Sequence, residues 1–378
     1  MYTLEARQQH TVKKNSISTK QNAPSIPDEI LLRLPPKSVL RCRAVCRSWR
    51  RVTSDPKFLL DHHLRQPELP LVSSYRIPVP ADQLCPSCLD AIHLPSALRR
   101  PIYRLPQLHG EIIASCDGLF VIHEYNCPYI YNPTTRQCAP AGISRLKREQ
   151  FAGFYRHQPS GEYRFLYWKC ANIWHEIYCL NYFYVLTVGS NKPRQISCSI
   201  APMDEEIISG MGPRIIGSPV FLHGGLHMHW KKKHHDALGY NRILVFDTVA
   251  ESFRQLRPPP LNPRNYTQLF AMDGMLAMST CKEPLMSIDI FMLEDYDHEV
   301  WAFRCKIKLP MMEIGCLQLV SAEVVSEQGD ILVSCFGWLL HCDNKGNLLS
   351  RFHYNDDLPA ISRHRIKESL IQHAFFKR

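Results

Sequence analysis

Three stretches hold side chains whose types and spacing could do chemistry. Cys85 and Cys88 form a CxxC pair, with His93 and Cys116 further along. A structural zinc site takes four ligands, usually as two close pairs. Here one pair is followed by two isolated residues in a chain with 15 Cys, so a chance CxxC is the simpler reading. The run HMHWKKKHHD, His227 to Asp236, concentrates four His and three Lys. His227 and His229 would share one face of a strand, as metal ligands sometimes do, but a strand end running into a solvated loop explains the run as well. Glu205 and Glu206 are adjacent carboxylates in a polar segment with nothing to define a site. No P-loop, nucleophile elbow or HExxH motif occurs. The copper cluster of a propeller oxidase would need Tyr, His and Cys at spacings that nothing singles out. No catalytic residue, metal ligand or cofactor is therefore assigned, and the chain is expected not to be an enzyme.

The third stretch is RCRAVCRSWRRVTSDPKFL, Arg41 to Leu59, where Trp49, Cys42 and Cys46 sit among closely spaced Arg. A DNA-reading helix wants Arg, Asn or Gln on one exposed face. Residues 26–65 contain neither Asn nor Gln and show no helix-turn-helix spacing, so a nucleic-acid partner is not expected. Val39, Cys42, Val45, Cys46, Trp49 and Val52 recur instead at helical steps, an apolar stripe with Arg41, Arg43, Arg47, Arg50 and Arg51 mostly off it. That is the pattern of a helix that docks on a protein.

The elements around this stripe fall into two parts. The formal charge of +10 is uneven: residues 1–25 hold +3 and residues 26–65 hold +5, leaving +2 for the rest. A global basic field is therefore absent. Residues 1–25 read as a disordered basic tail without the apolar core of a signal peptide. No apolar run is long enough to span a membrane. Scattered Cys in an odd number predict reduced thiols, as in cytoplasm or nucleus. Between 26 and 65, three short helices are predicted. Ser25 or Asp28 could cap the first, Pro35-Pro36 breaks it, and Ser54-Asp55-Pro56 ends the second region. So small a module buries little by itself.

Residues 66–107, with Pro67, Pro70, Pro78 and Pro80, read as a Pro-rich connector. From 108 to 378, short strand-like runs alternate with turn signals. Several are copies of one plan that starts at Asp117, Gly224, Asp273 and Gly329. Each has a Gly turn, a strand, a gap, a second strand ending in a polar turn (Asn132-Pro133, Asp247-Thr248, Asp343-Asn344), then a third strand. The first two starts lie 107 residues apart, which leaves room for a further copy around 163–181. Recurrence near 50 residues with several strands per unit is a kelch-like propeller signature. The expected fold class is α+β multidomain: a short three-helix module, then a mostly-β domain, a β-propeller of about six blades. A β-sandwich is the competing architecture.

Residues 26–64 resemble the F-box. The family pattern of a Leu-Pro start, an apolar first helix, a Leu-Pro break, a Lys-Ser-Leu-Leu-like second helix and a Val-Cys-Arg-Ser-Trp run is met by this sequence. It supplies Ile26-Pro27, Ile30-Leu31, Leu34-Pro35, Lys37-Ser38-Val39-Leu40 and Val45-Cys46-Arg47-Ser48-Trp49. The rest is similar to the F-box-associated region of large plant F-box families, on SCDGLFVIHEYNCPYIYNPTTRQ, GFYRHQPSGEYRFLYW and ILVFDTVAESFR. The resemblance implies a substrate receptor of an SCF-type ubiquitin ligase. In such a complex the F-box docks on a Skp-type adaptor and through it a cullin, the β domain holds a target protein, and other subunits do the chemistry. It implies adaptor contacts at Ile26, Pro27, Ile30, Leu31, Leu34, Pro35, Leu40, Val45, Cys46 and Trp49. A non-ligase propeller scaffold with a degenerate F-box is the alternative. One departure bears on it: Pro27 and Pro35 are eight apart, four fewer than the family pattern. That is about one helical turn, roughly 6 Å of helix. Adaptor binding is expected to weaken rather than vanish. For the target, Trp168, Trp174, Trp230 and Lys231, Lys232 and Lys233 are candidate rim residues, because exposed aromatics and cations make hot spots. Propeller core for the Trp and solvated turn for the Lys are the competing placements.

Overall fold

The computed structural model describes residues 28–76, 88–92, 103–105, 110–125, 127–143, 147, 150–173, 178–196, 214–231, 241–262, 265–281, 287–309, 323–327, 329–335, 338–353 and 357–376. The basic tail expected at 1–25 lies outside them.

Four helices open the described chain: α1 (Asp28–Leu32), α2 (Pro36–Cys42), α3 (Arg47–Thr53) and α4 (Pro56–Arg65). The sequence predicts one helix where α2 and α3 stand. The break comes at Cys46, whose extended backbone and Sγ cap α3 by accepting from the Trp49 amide at 3.4 Å. Asp55 caps α4 in the same way through Lys57 and Phe58, and Pro56 takes the first helical position, where no amide is needed. Leu31, Val39, Phe58 and Leu59 form the small core of this module.

The remainder is six four-stranded antiparallel sheets. Blade 2 holds β4 (Glu111–Cys116), β5 (Leu119–Glu124), β6 (Cys127–Asn132) and β7 (Gln137–Pro140). Blade 3 holds β8 (Phe151–Arg156), β9 (Tyr163–Ile173), β10 (Tyr178–Thr187) and β11 (Arg194–Ile196). Blade 4 holds β12 (Arg214–Leu222), β13 (Gly225–Lys231), β14 (Asn241–Asp247) and β15 (Ser252–Leu256). Blade 5 holds β16 (Tyr266–Met272), β17 (Met275–Cys281), β18 (Ser287–Asp295) and β19 (Val300–Lys308). Blade 6 holds β20 (Glu323–Glu327), β21 (Asp330–Cys335), β22 (Trp338–Cys342) and β23 (Leu348–His353). Blade 1 is built from both ends of the domain. The last strand, β24 (Asp357–Lys367), pairs with β1 (Glu68–Arg76), followed by β2 (Cys88–Ala91) and β3 (Tyr103–Leu105).

The first strands of the sheets, β4, β8, β12, β16, β20 and β24, meet their neighbours around a closed ring. One apolar cluster fills each of the six junctions between blades. This is a six-bladed β-propeller, and it decides against the sandwich. The Pro-rich connector of 66–107 is corrected: β1, β2 and β3 lie inside it. Pro70 is tolerated in β1 because it sits at a register shift against β24, where a missing amide costs little.

The repeated Gly turns join each first strand to the second. Asp117-Gly118, His223-Gly224 and Asp273-Gly274 have both residues at positive φ, the two-residue hairpin whose twist matches the strands. The polar turns close the third strand onto the fourth. Asn132, Asp247, Asp295 and Asp343 each accept backbone amides two to four residues ahead. Both kinds of turn lie at the end of the ring where β24 finishes and β1 begins, beside the helices.

Candidate protein-docking surfaces

The helical module keeps apolar side chains in solvent. Ile30 on α1 is 51% exposed, Leu40 on α2 39% and Val45, between α2 and α3, 63%. On α4, Leu60 and Leu64 are 39% and 63% exposed, four residues apart and so on one side of the helix. A module this small with such a surface presents it to a partner. Arg41, Arg47, Arg50 and Arg51 are exposed among these residues. Arg43 is turned to structure instead: its guanidinium donates to the Thr53 carbonyl at 2.7 Å, and Arg50 donates to the Arg43 carbonyl at 3.0 Å. Burial lowers the Arg43 pKa.

The residues expected to touch an adaptor divide accordingly. Ile30, Leu40 and Val45 are exposed, Pro35 is exposed at the cap of α2, and Cys46 and Trp49 are half-buried. Leu31 is corrected to core, at 1% exposed, and Leu34 is half-buried against the same cluster. Ile26 and Pro27 lie outside the described residues. Leu60 and Leu64 were missed by the sequence reading, although their four-residue spacing was visible.

The candidate target residues also divide. Trp230 is 5% exposed and packs with Trp168 and Phe183 between blades 3 and 4, ring centroids 6.5 and 6.0 Å away. It is thereby corrected from rim to core, and Trp168 is half-buried beside it. Lys231 ends β13; Trp174, Lys232 and Lys233 lie outside the described residues. His227 and His229 are structural. His227 bonds Tyr296 Oη at 2.6 Å and the Val220 carbonyl at 3.3 Å, and burial pushes its pKa down to about 4. His229 bonds Asn241 Oδ1 at 2.7 Å. Among the described residues no group of three His, Cys, Asp or Glu could hold a metal ion, and no helix is long and apolar enough to cross a membrane.

One charged cluster joins blades 3 and 4. Glu251, 7% exposed at the side chain, accepts from Tyr155 Oη at 2.6 Å and from Arg164 at 2.7 Å, and pairs with Arg194. Glu251 closes the β14–β15 turn at φ 50°, so this turn is tied across to β8, β9 and β11. Both Glu251 oxygens are engaged by side chains of blade 3, which marks the cluster as a structural tie.

Residues 95–368 match the F-box associated beta propeller domain, and residues 24–66 match the F-box-like model. An F-box/LRR-repeat protein of Arabidopsis thaliana is 22% identical over 366 residues, covering 90% of this chain and 78% of that protein. A second Arabidopsis thaliana F-box protein is 24% identical over 331 residues, covering 82% of this chain and 73% of its own length. A putative F-box protein from the same plant is 30% identical over 167 residues, 42% of each chain. The matching propeller family replaces the kelch-like description.

Proposed function

The chain belongs to the F-box associated β-propeller family, and from that membership we propose that it is the substrate-recognition subunit of an SCF-type ubiquitin ligase. The F-box helices dock on a Skp-type adaptor that leads to a cullin, and the propeller holds a target protein. The chain itself is non-catalytic in this reading and works in cytoplasm or nucleus. The observation that carries it is the exposed apolar set Ile30, Leu40, Val45, Leu60 and Leu64 on a module matched as an F-box. Exposed Arg41, Arg47, Arg50 and Arg51 around that set would speed encounter with an acidic adaptor.

The helices occupy the end of the ring that carries the tight turns. At the opposite end β1, β11, β13 and β19 finish and β2, β12, β14 and β20 begin. With the helices seated on the turn end, the target would approach the opposite face of the ring.

The test is binding of a purified Skp-type adaptor to the full chain and to Val45→Asp, an exposed position whose change spares the core. Binding by the parent chain and its loss in the variant supports the reading. A parent chain that does not bind overturns it. A second reading, an interaction scaffold without a ligase, is favoured by one observation: α1 has only five residues. The same experiment decides between them.

A further inference from the structure

The two family matches end at residues 66 and 368, yet the chain continues to 378. The described part of that remainder does not trail into solvent. Leu370 is 2% exposed and belongs to the core of the helical module, with Leu31, Val39, Phe58 and Leu59, and Ile371 packs beside it. His63 of α4 donates from Nδ1 to the Glu368 carbonyl at 3.0 Å.

The same segment is fastened to the propeller on its other side. Ser369 is fully buried: its carbonyl accepts from Asn132 Nδ2 at 3.1 Å, and its amide donates to Thr134 Oγ1 at 3.0 Å. Gly118, at φ 79°, lies so close that a Cβ there would overlap the Lys367 carbonyl oxygen. His373 is 8% exposed and meets Tyr163 edge to face at 5.2 Å. Phe375 and Phe376, on a short 3-10 helix (Ala374–Phe376), pack on the cluster between blades 2 and 3. Tyr163 in turn donates to Asp117 Oδ2 at 3.0 Å. The tail thus runs from the end of β24 beneath α4 and across the turns of blades 2 and 3.

We propose that residues 368–376 are an internal strut that completes the F-box core and fixes the F-box on the turn face of the propeller. The F-box is then not an autonomous unit: Leu370, contributed from the far end of the chain, fills the centre of its core. Two independent fastenings, one into the helices and one into blades 2 and 3, remove the freedom that a connection of two residues between α4 and β1 would otherwise leave. Resting on the ligase reading, this means that adaptor and target are held in one fixed geometry. The strut itself does not depend on that reading.

The experiment compares hydrogen–deuterium exchange in the full chain, in Leu370→Asp and in a chain ending at Lys367. The expected result is that amides of α2, α3 and α4 exchange roughly tenfold faster or more in both variants, while those of β14 and β17 keep their protection. A synthetic peptide of residues 368–378 added to the shortened chain should restore the slow exchange. Unchanged exchange in α2–α4, or a loss spread equally through helices and propeller, overturns the proposal. Adaptor binding is measured on the same samples. A full chain that shows the strut effect but binds no adaptor removes the ligase reading and leaves the strut in place.

Discussion

Replacing Asn132 tests the fastening between propeller and tail at a single atom. Asn132 is fully buried at the end of β6. Its Oδ1 accepts from the amides of Thr134 at 2.9 Å and Thr135 at 3.2 Å, and its Nδ2 donates to the Ser369 carbonyl at 3.1 Å. Asn132→Asp keeps the size and both accepted bonds, so the turn survives. It replaces the one donor with an acceptor that faces the Ser369 oxygen. The lost bond is worth about 1 kcal/mol, and leaving two buried acceptors face to face costs about 1–3 kcal/mol more. The expected destabilisation is therefore about 2–4 kcal/mol in the full chain. In a chain ending at Lys367 the opposing oxygen is gone, and the same substitution should cost close to nothing. The assay is a double-mutant cycle from urea unfolding of the four proteins, read by circular dichroism. An equal cost of Asn132→Asp with and without the tail would refute the reasoning, because the penalty would then belong to the turn alone.

Four further outcomes follow from the same geometry. Burial pushes the pKa of His227 and of His373 down to about 4, so each is neutral in the folded chain while the unfolded chain takes up a proton below about 6.5. Stability should fall as pH drops from about 6.5 to 4, by up to roughly 3 kcal/mol per histidine. His227→Gln should flatten that part of a melting-temperature-against-pH curve. Glu251→Gln removes one of the two carboxylates paired with Arg164 and should destabilise by about 1–2 kcal/mol in thermal unfolding, whereas Glu162→Gln, which leaves the buried Glu251 pair in place, should cost less. Val45→Asp should weaken adaptor binding at least tenfold in a pull-down titration while leaving the melting temperature unchanged. Gly118→Ala, at positive φ and against the Lys367 carbonyl, should speed exchange at Ser369 and Leu370 first, seen in peptide-level exchange of residues 366–376.

The helical module was legible because its signals are local. Pro35-Pro36, the Asp55-Pro56 pair and the apolar steps from Val39 to Val52 fix helix ends and faces within a few residues of each other. The propeller was legible in part. The units read from Asp117, Gly224, Asp273 and Gly329 are the second, third and fourth strands of blades 2, 4, 5 and 6, and the copy expected around 163–181 is β9 and β10 of blade 3. The first strands escaped because none of them carries a turn signature at its start. Blade 1 escaped because β1 finds its partner in β24, some three hundred residues away, and because its proline reads as a break until a bulge is there to hold it. Exposure was the least legible quantity. Leu31 and Ile30 are adjacent apolar residues, one in the core and one in solvent, and only the packing of α4 and Leu370 separates them. Trp230 looked like a rim aromatic because three Lys follow it, but its strand turns it inward.

The closing of blade 1 by the last strand also sets an order of events during synthesis. The F-box is made before the propeller, and five blades can pair locally as they emerge. The ring cannot close, and Leu370 cannot reach the helices, until β24 and the residues just after it have been made. A message cut short before β24 would yield a chain with an open first blade and an unfilled helical core, both apolar and both exposed. Such a chain would carry the exposed apolar surface of an unfolded protein, so the arrangement makes synthesis through Leu370 a condition for a filled helical core.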